Sequence, residues 1–257
     1  MLSIGQYNSD FFVKYSNKKN VSFGSNYEMT YDSFLRTNVT KNATWFFRDD
    51  LPWKKFCDFI LNHFKDSNKV NLISVPCSDG SEPISLLLKL KQFESFDNQK
   101  GKYLPIKAFD IDEKQLKIAE SGIIPLFSDD PIKTVIDATS IFCNASKSLG
   151  RDYKIDKGHL ILSDNLKDDI KYQKMHICDV LKNLSKTEDV VLLVRNVFPY
   201  LNDYTEIPVV LSELSKFKTG SVLAIGDFDT EKIPCMKRLL EKSGFKKTDM
   251  KNCYLKK

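Results

Sequence analysis

Residues 70–93 read VNLISVPCSDGSEPISLLLKLKQF, and the fold turns on this stretch. Val70 to Val75 is a short apolar run that stops at Pro76. Glu82 to Phe93 carries apolar residues at helical spacing, with Pro83 in the first turn, where a missing N–H leaves no bond unmade. Between the two, Cys77 to Ser81 is a tight polar turn with one glycine. Strand, turn and helix in this order build the cradle that open α/β sheets offer to a nucleotide-like cofactor.

The unit repeats along the chain. Ile106 to Asp110 reads as a second strand, Asp112 is placed to cap the helix EKQLKIAES, and Gly122 ends it. Asp189 to Val197 is a continuous apolar strand of the kind buried on both faces of a parallel sheet. Glu206 to Phe217 follows as a helix, Ser221 to Phe228 as a strand, and Ile233 to Ser243 as a helix stopped by Gly244. Phe245 to Leu255 reads as a short hairpin that places one antiparallel strand at the end of an otherwise parallel sheet. The expectation is a doubly wound α/β domain. Two regions lie outside the repeat. Residues 1 to 40 are polar and aromatic-studded, with a helix expected around Tyr27 to Leu35. From Phe127 to Lys174 runs an excursion with an acidic turn at Ser128 to Pro131, a helix to Phe142, and alternating segments at Tyr153 to Ile155 and His159 to Leu162. A small antiparallel insertion within 128–174 is expected there.

Composition narrows the function classes. The chain has 257 residues, 42% of them hydrophobic, enough for one large domain with a sizeable core. Its formal charge of +5 comes from lysines scattered along the sequence, so no nucleic-acid partner is implied. Cys57, Cys77, Cys143, Cys178, Cys235 and Cys253 form no C-x-x-C pair and sit beside no histidine cluster, which speaks for core thiols in a reducing compartment and against a metal site. The first ten residues lack a basic stretch followed by an apolar one, and Val190 to Val194 and Val222 to Ile225 are far too short to cross a bilayer. A cytoplasmic chain without membrane insertion is expected.

In an open α/β sheet the ligand lies beyond the carboxyl ends of the strands. Asp110 ends the second strand, where a carboxylate accepts hydrogen bonds from two ribose hydroxyls; the alternative is that it only caps the next helix, as Asp112 could. Pro76 to Gly80 is a poor G-x-G-x-x-G, so the loop suits a cofactor with no phosphate to cradle. That favours S-adenosylmethionine over NAD, with a generic nucleotide fold left open on spacing alone.

Five collinear stretches are similar to a known family. TWFFRD (Thr44 to Asp49), CSDGSEP (Cys77 to Pro83), AFDIDEKQLKIAESG (Ala108 to Gly122), VRNVFPY (Val194 to Tyr200) and the closing CYLKK resemble the CheR chemoreceptor glutamate methyltransferases. The resemblance implies a Rossmann-like S-adenosylmethionine-dependent methyltransferase fold, a mostly parallel sheet with a C-terminal antiparallel hairpin. It implies a short N-terminal extension over 1–40, where the family's helical domain is largely missing, and a methyltransferase domain over 41–257. By carry-over, Asn42, Thr44, Arg48, Glu82, Asp110, His176, Ile177, Arg195 and Asn196 contact the donor, with Asp110 on the ribose. His176 and Ile177 stand where the family has an Asn-Leu pair near the adenine, and a histidine that is simply buried is the plainer reading. Arg48 and Tyr200 are the catalytic candidates, facing the acceptor carboxylate, while Phe46 and Phe47 pack inward. The implied reaction moves a methyl group from S-adenosylmethionine to protein glutamates, leaving S-adenosylhomocysteine, with no metal and no general base, because a glutamate is already ionised near neutral pH. The implied partner of this monomer is a chemoreceptor's cytoplasmic helices. The alternatives are a relative with another protein or small carboxylate as acceptor, and a non-catalytic binder of the donor or its demethylated product. The chain departs from the family pattern at Pro76, Asp79, Ser81 and Pro199, and with GDFD (Gly226 to Asp229) in place of G-H-S-E.

Overall fold

The structure, a computed structural model, describes residues 44–126 and 153–257 in full and residues 29–32 and 37–40 by their backbone. Met29–Asp32 (β1) and Thr37–Thr40 (β2) form an antiparallel pair. This corrects the helix expected around Tyr27 to Leu35: both segments are rich in Thr, Tyr and Val, which favour a pleated backbone. Trp53–His63 (α1) buries Trp53, Phe56, Cys57, Ile60 and Leu61, an i, i+3, i+4 stripe facing the core. Val70–Ser74 (β3) leads through the Cys77 turn into Ser81–Leu90 (α2).

Ile106–Asp110 (β4) is followed by Glu113–Ser121 (α3), which Asp112 caps by accepting the N–H groups of Lys114 and Gln115 and which ends at Gly122 in a left-handed conformation. Ile123–Pro125 (β5), Tyr153–Asp156 (β6) and His159–Leu162 (β7) make a separate antiparallel sheet in the order β5-β7-β6. Its hairpin turns at Lys157 and Gly158, both at positive φ (47° and 76°), the backbone that a tight two-residue connection requires. The expected acidic turn and helix to Phe142 lie outside the described residues.

Asp164–Asp168 (α4), Ile170–Lys174 (β8), Ile177–Asn183 (α5) and Asp189–Leu193 (β9) follow. After β9 the chain turns at Asn196 (φ 56°), so the strand is shorter than the apolar run to Val197 suggests. Glu206–Ser215 (α6) and Val222–Ala224 (β10) come next. Residues read as the end of that strand instead open Asp227–Lys232 (α7), and Met236–Lys242 (α8) precedes Phe245–Lys247 (β11) and Cys253–Lys256 (β12).

The main sheet has seven strands in the order β11-β12-β10-β9-β3-β4-β8. The five strands from β10 to β8 are parallel, and β12 runs antiparallel to both β10 and β11. The reversed strand is therefore inside the sheet, with β11 at the edge. Side chains alternate between two cores. Val70, Leu72, Val191 and Leu193 pack with α1 and α2 on one face, while Ile73, Val190, Leu192 and Val194 pack with α5, α6 and α8 on the other. Truncating such a leucine to alanine costs about 2–5 kcal/mol, so both layers are firmly held.

Chain order runs outward from β3 to β4 and β8 on one side and to β9 and β10 on the other. The crevice of a doubly wound sheet opens at that reversal, beyond the carboxyl ends of β3 and β9.

Candidate functional site at the β3–β9 crevice

Arg195, two residues past β9, is buried with 2% of its side chain exposed. Its Nη1 donates to Oε2 of Glu82 at 2.9 Å, and its Nη2 donates to Oδ1 of Asp50. Glu82 stands in the first turn of α2 and also accepts the Ser74 hydroxyl at 2.8 Å on Oε1. Burial pushes the Glu82 carboxyl up to about 7, against the pull of the Ser74 hydroxyl and the Arg48 guanidinium. Burial, and then the charge of Arg48, brings Arg195 down to about 9, still protonated at neutral pH. Two carboxylates thus share one guanidinium.

The turn after β3 is shaped by Asp110 and Gly80. Asp110 accepts the Ser78 N–H at 2.7 Å on Oδ2 and the Asp112 N–H at 2.9 Å on Oδ1. Capping of α3 falls to Asp112, so Asp110 fastens the turn rather than the helix. Gly80 has φ +90°, and a Cβ there would stand 2.7 Å from the Tyr172 hydroxyl, so only glycine fits. Asp79, where the family pattern has Thr, accepts the Ser81 N–H at 2.9 Å. Cys77 lies among these acids: its thiol is pushed well above the usual range by burial first, then by Asp110 and Glu82.

The segment from Thr44 to Trp53 lies against α2. Phe46 is fully buried in the core, and Thr44 is half-buried at its start. Phe47 holds φ 47°, donates its N–H to Oγ of Ser85 at 2.9 Å, and sets its ring edge-on to Trp53 at 6.2 Å. The guanidinium of Arg48 stacks over Trp45 at 4.1 Å, and its carbonyl accepts the Trp53 indole N–H at 2.9 Å. Trp53 also lies under Arg195, 5.1 Å from ring centre to guanidinium. Arg48 acts on both Glu82 and Arg195, so the WFFR segment is core anchor at Phe46 and part of the charged cluster at Arg48.

Asn196 and Asp229 join the exits of β9 and β10. Asp229 is fully buried and accepts the N–H groups of Asn196 (2.6 Å), Gly226 (2.8 Å) and Phe198 (3.0 Å). Burial raises its carboxyl to about 6 although these donors favour the charged form. The Asn196 amide oxygen accepts the Phe228 N–H at 3.1 Å. Tyr200, on the 3-10 turn Phe198–Tyr200, stacks on Phe228 with ring centres 5.6 Å apart. His176 follows β8 and caps α5, with Nδ1 accepting the Cys178 N–H at 3.3 Å and Nε2 3.1 Å from Glu206. Ile177 is buried in the core beside it. Asn42 lies outside the described residues.

The crevice therefore brings together Arg48, Glu82, Asp110, Arg195 and Asn196. Two buried polar atoms flank it with no hydrogen-bond partner among the described residues: Ser78 Oγ at the exit of β3 and Arg195 Nε at the exit of β9. A carboxylate offers roughly four acceptor positions, so Asp110, with two filled by backbone N–H groups, can still take hydroxyl donors. These features fit a polar, hydroxyl-bearing cofactor. Among the described residues no three His, Cys, Asp or Glu side chains group as metal ligands, and no helix is long and apolar enough to cross a membrane. Cys57, Cys77, Cys178 and Cys253 are buried free thiols, as expected of core cysteines, whereas the free thiol Cys235 is only half-buried.

Asp50 and Ser85 are site residues that no motif named, and Asp229 entered only as the last residue of the GDFD departure. Each is tied to a residue distant in sequence, 38 residues for Ser85 and Phe47, 33 for Asp229 and Asn196, and up to 177 for the Asp50 side chain and Asp227, and no spacing announces such bonds.

Sheet order, reversed penultimate strand, Glu82 in the helix turn that follows β3 and Asp110 at the end of β4 define an α/β domain of the S-adenosylmethionine-dependent methyltransferase fold. Residues 42–248 match the family model described as CheR methyltransferase, SAM binding domain, and the chain belongs to that family. It is 26% identical over 195 residues to chemotaxis protein methyltransferase 2 of Vibrio cholerae, covering 73% of this chain and 62% of that protein. It is also 26% identical over 208 residues to a chemotaxis protein methyltransferase of Borreliella burgdorferi, covering 76% of this chain and 67% of the relative. The chain thus spans about two thirds of the length of these relatives. Among solved structures, WbdD is similar at TM-score 0.43 and 13% identity, over 80% of this chain and 40% of that one.

Proposed function

We propose that the chain binds S-adenosylmethionine in the β3–β9 crevice and methylates glutamate side chains of a chemoreceptor's cytoplasmic helices. The observation that carries this reading is the cluster of Glu82, Asp110 and Arg195 at the ends of three adjacent strands, in a chain of the CheR family. When bound, the donor supplies an electrophilic methyl carbon on a sulfonium: the acceptor oxygen forms the C–O bond as the C–S bond breaks, leaving the neutral thioether S-adenosylhomocysteine.

The chain's own residues have binding and orienting work to do. Asp110 accepts the ribose hydroxyls while its bonds to Ser78 and Asp112 keep it aimed. Glu82, ionised above about 7, faces the donor's positive end. Asn196 and the turn at Ser78 border the same crevice, and His176 with Ile177 closes it beyond β8. Arg48 and Tyr200 orient the acceptor carboxylate, which needs no general base because it is already charged. The acceptor is a protein, and no nucleic acid or metal takes part. Incubation with methyl-labelled donor and the receptor's cytoplasmic fragment tests the proposal: alkali-labile label on the receptor supports it, and a receptor that stays unlabelled while the chain binds the donor points to another acceptor.

A further inference from the structure

Asp50 follows the TWFFRD stretch and is 3% exposed. It makes contacts in three directions. Oδ1 takes Nη2 of Arg195 from the β9 exit; Oδ2 accepts the Asp227 N–H at 3.2 Å from the start of α7 and faces the Asn196 amide at 3.4 Å. Its carbonyl accepts the Asn252 side-chain amide at 2.9 Å from the turn before β12, and that amide also reaches Asp227 at 2.8 Å. One acid thus ties the segment bearing Arg48 to both loops on the far side of the crevice.

We propose that Asp50 is the positioning residue of this site: holding one end of the Arg195 guanidinium, it aims the other at Glu82 and fixes Arg48 beside them. Toward the donor, this role rests on the function proposed above. The physical argument is one of shared charge. Around Glu82 stand Arg195 from the β9 exit, Arg48 and Asp50 from the segment before α1, Asp229 from α7, Cys77 from the turn and the Ser74 hydroxyl from β3. Arg195 is a cation in direct contact with Glu82, and Asp50 claims its second nitrogen. Neutralising Asp50 leaves the guanidinium to Glu82 alone, so Glu82 ionises more readily and Arg195 is free to turn.

Asp50→Asn keeps the shape and removes the charge. The ¹³C-carboxyl resonance of Glu82, assigned by its loss in Glu82→Gln, is titrated in the ligand-free protein. The midpoint should fall by about one pH unit in Asp50→Asn, the scale on which a nearby charge moves a carboxyl. Asp50→Ser gives the same readout should the amide not be accommodated. Asn252→Ala, which removes only a structural tie, should lower the melting temperature and leave the midpoint in place. An unmoved midpoint in the Asp50 variants, or an equal movement in Asn252→Ala, overturns the assignment. Calorimetry with S-adenosylhomocysteine separates the two claims. Failure of the natural chain to bind, with the midpoint shifted, overturns the donor reading and leaves the Asp50–Arg195–Glu82 linkage standing. Binding with coincident midpoints overturns the role of Asp50 alone.

Discussion

Nη1 of Arg195 donates to Oε2 of Glu82 at 2.9 Å, joining the loop after β9 to the first turn of α2. Arg195 is buried and Glu82 keeps 12% of its side chain exposed, so the bond acts where water screens only in part. Replacing Arg195 by Met strands Asp50 and Glu82 without their cation. We expect a loss of about 3–5 kcal/mol in urea unfolding at pH 8, the cost of breaking a buried pair from one side. A loss under about 1 kcal/mol, the value of an exposed pair, would mean the cluster is wetter than the structure indicates.

Glu82 also sets a pH dependence. Its folded carboxyl titrates at about 7 against an ordinary value of 4.5. A raised folded value means that the protonated form is the better tolerated one inside. The advantage is complete below about 4.5 and is lost as pH rises through 7. Between pH 5 and 8 the natural chain should therefore lose stability relative to Glu82→Gln, by about 1.4 kcal/mol for each pH unit that separates the folded from the unfolded titration. Parallel stability curves for the two chains would contradict this.

Asp110→Ala should weaken S-adenosylhomocysteine binding by about 1–3 kcal/mol, the scale of lost hydrogen bonds to a charged acceptor. It also frees the Ser78 N–H, so the turn loosens with the ligand contact. Asp110→Asn should fall between the two, since an amide oxygen still accepts. Undiminished binding in the calorimeter would remove Asp110 from the site.

Ser85→Ala leaves the Phe47 N–H without its partner directly before Arg48. If Arg48 orients the acceptor as proposed, transfer should fall by more than donor affinity, with a stability cost of about 1–3 kcal/mol. Equal losses in kcat and in donor affinity would place the Phe47 bond on the donor side instead.

Gly226→Ala meets the Asn196 side chain directly, although Gly226 itself has an ordinary backbone. The methyl group must displace the amide that accepts the Phe228 N–H. A loss of about 1–3 kcal/mol in thermal unfolding is expected, as for overpacking elsewhere. An unchanged melting temperature would show that Asn196 can move without disturbing the two loops.

Residue patterns made the β-α units legible wherever local signals agree. Asp112 and Gly122 bracket α3 as their side-chain and backbone chemistry requires, and the turn after β3 falls where Pro76 and Gly80 interrupt the apolar run. Of the features that escaped, three have identifiable reasons. The stripe Trp53, Phe56, Cys57, Ile60, Leu61 announces α1 but stands behind the more conspicuous WFFR. β8, IKYQK, is an edge strand with mostly polar side chains and lacks the apolar signature of its neighbours. The position of β12 between β10 and β11 is a pairing choice that hairpin spacing does not encode. Within the site, Glu82, Asp110 and Arg195 follow strands and could be found by position. Asp50 could not, because its side-chain partners Arg195 and Asp227 stand 145 and 177 residues away.

The central claim is methyl transfer to a protein carboxylate. The most direct measurement incubates the chain with methyl-labelled S-adenosylmethionine and the cytoplasmic helices of a chemoreceptor from the same cell, then treats the product with mild alkali. Label on the receptor that leaves as methanol is the predicted result, since only carboxyl esters hydrolyse so readily. Label that resists alkali, or a receptor that stays unlabelled while the chain binds S-adenosylhomocysteine, would contradict glutamate methylation and direct attention to another acceptor.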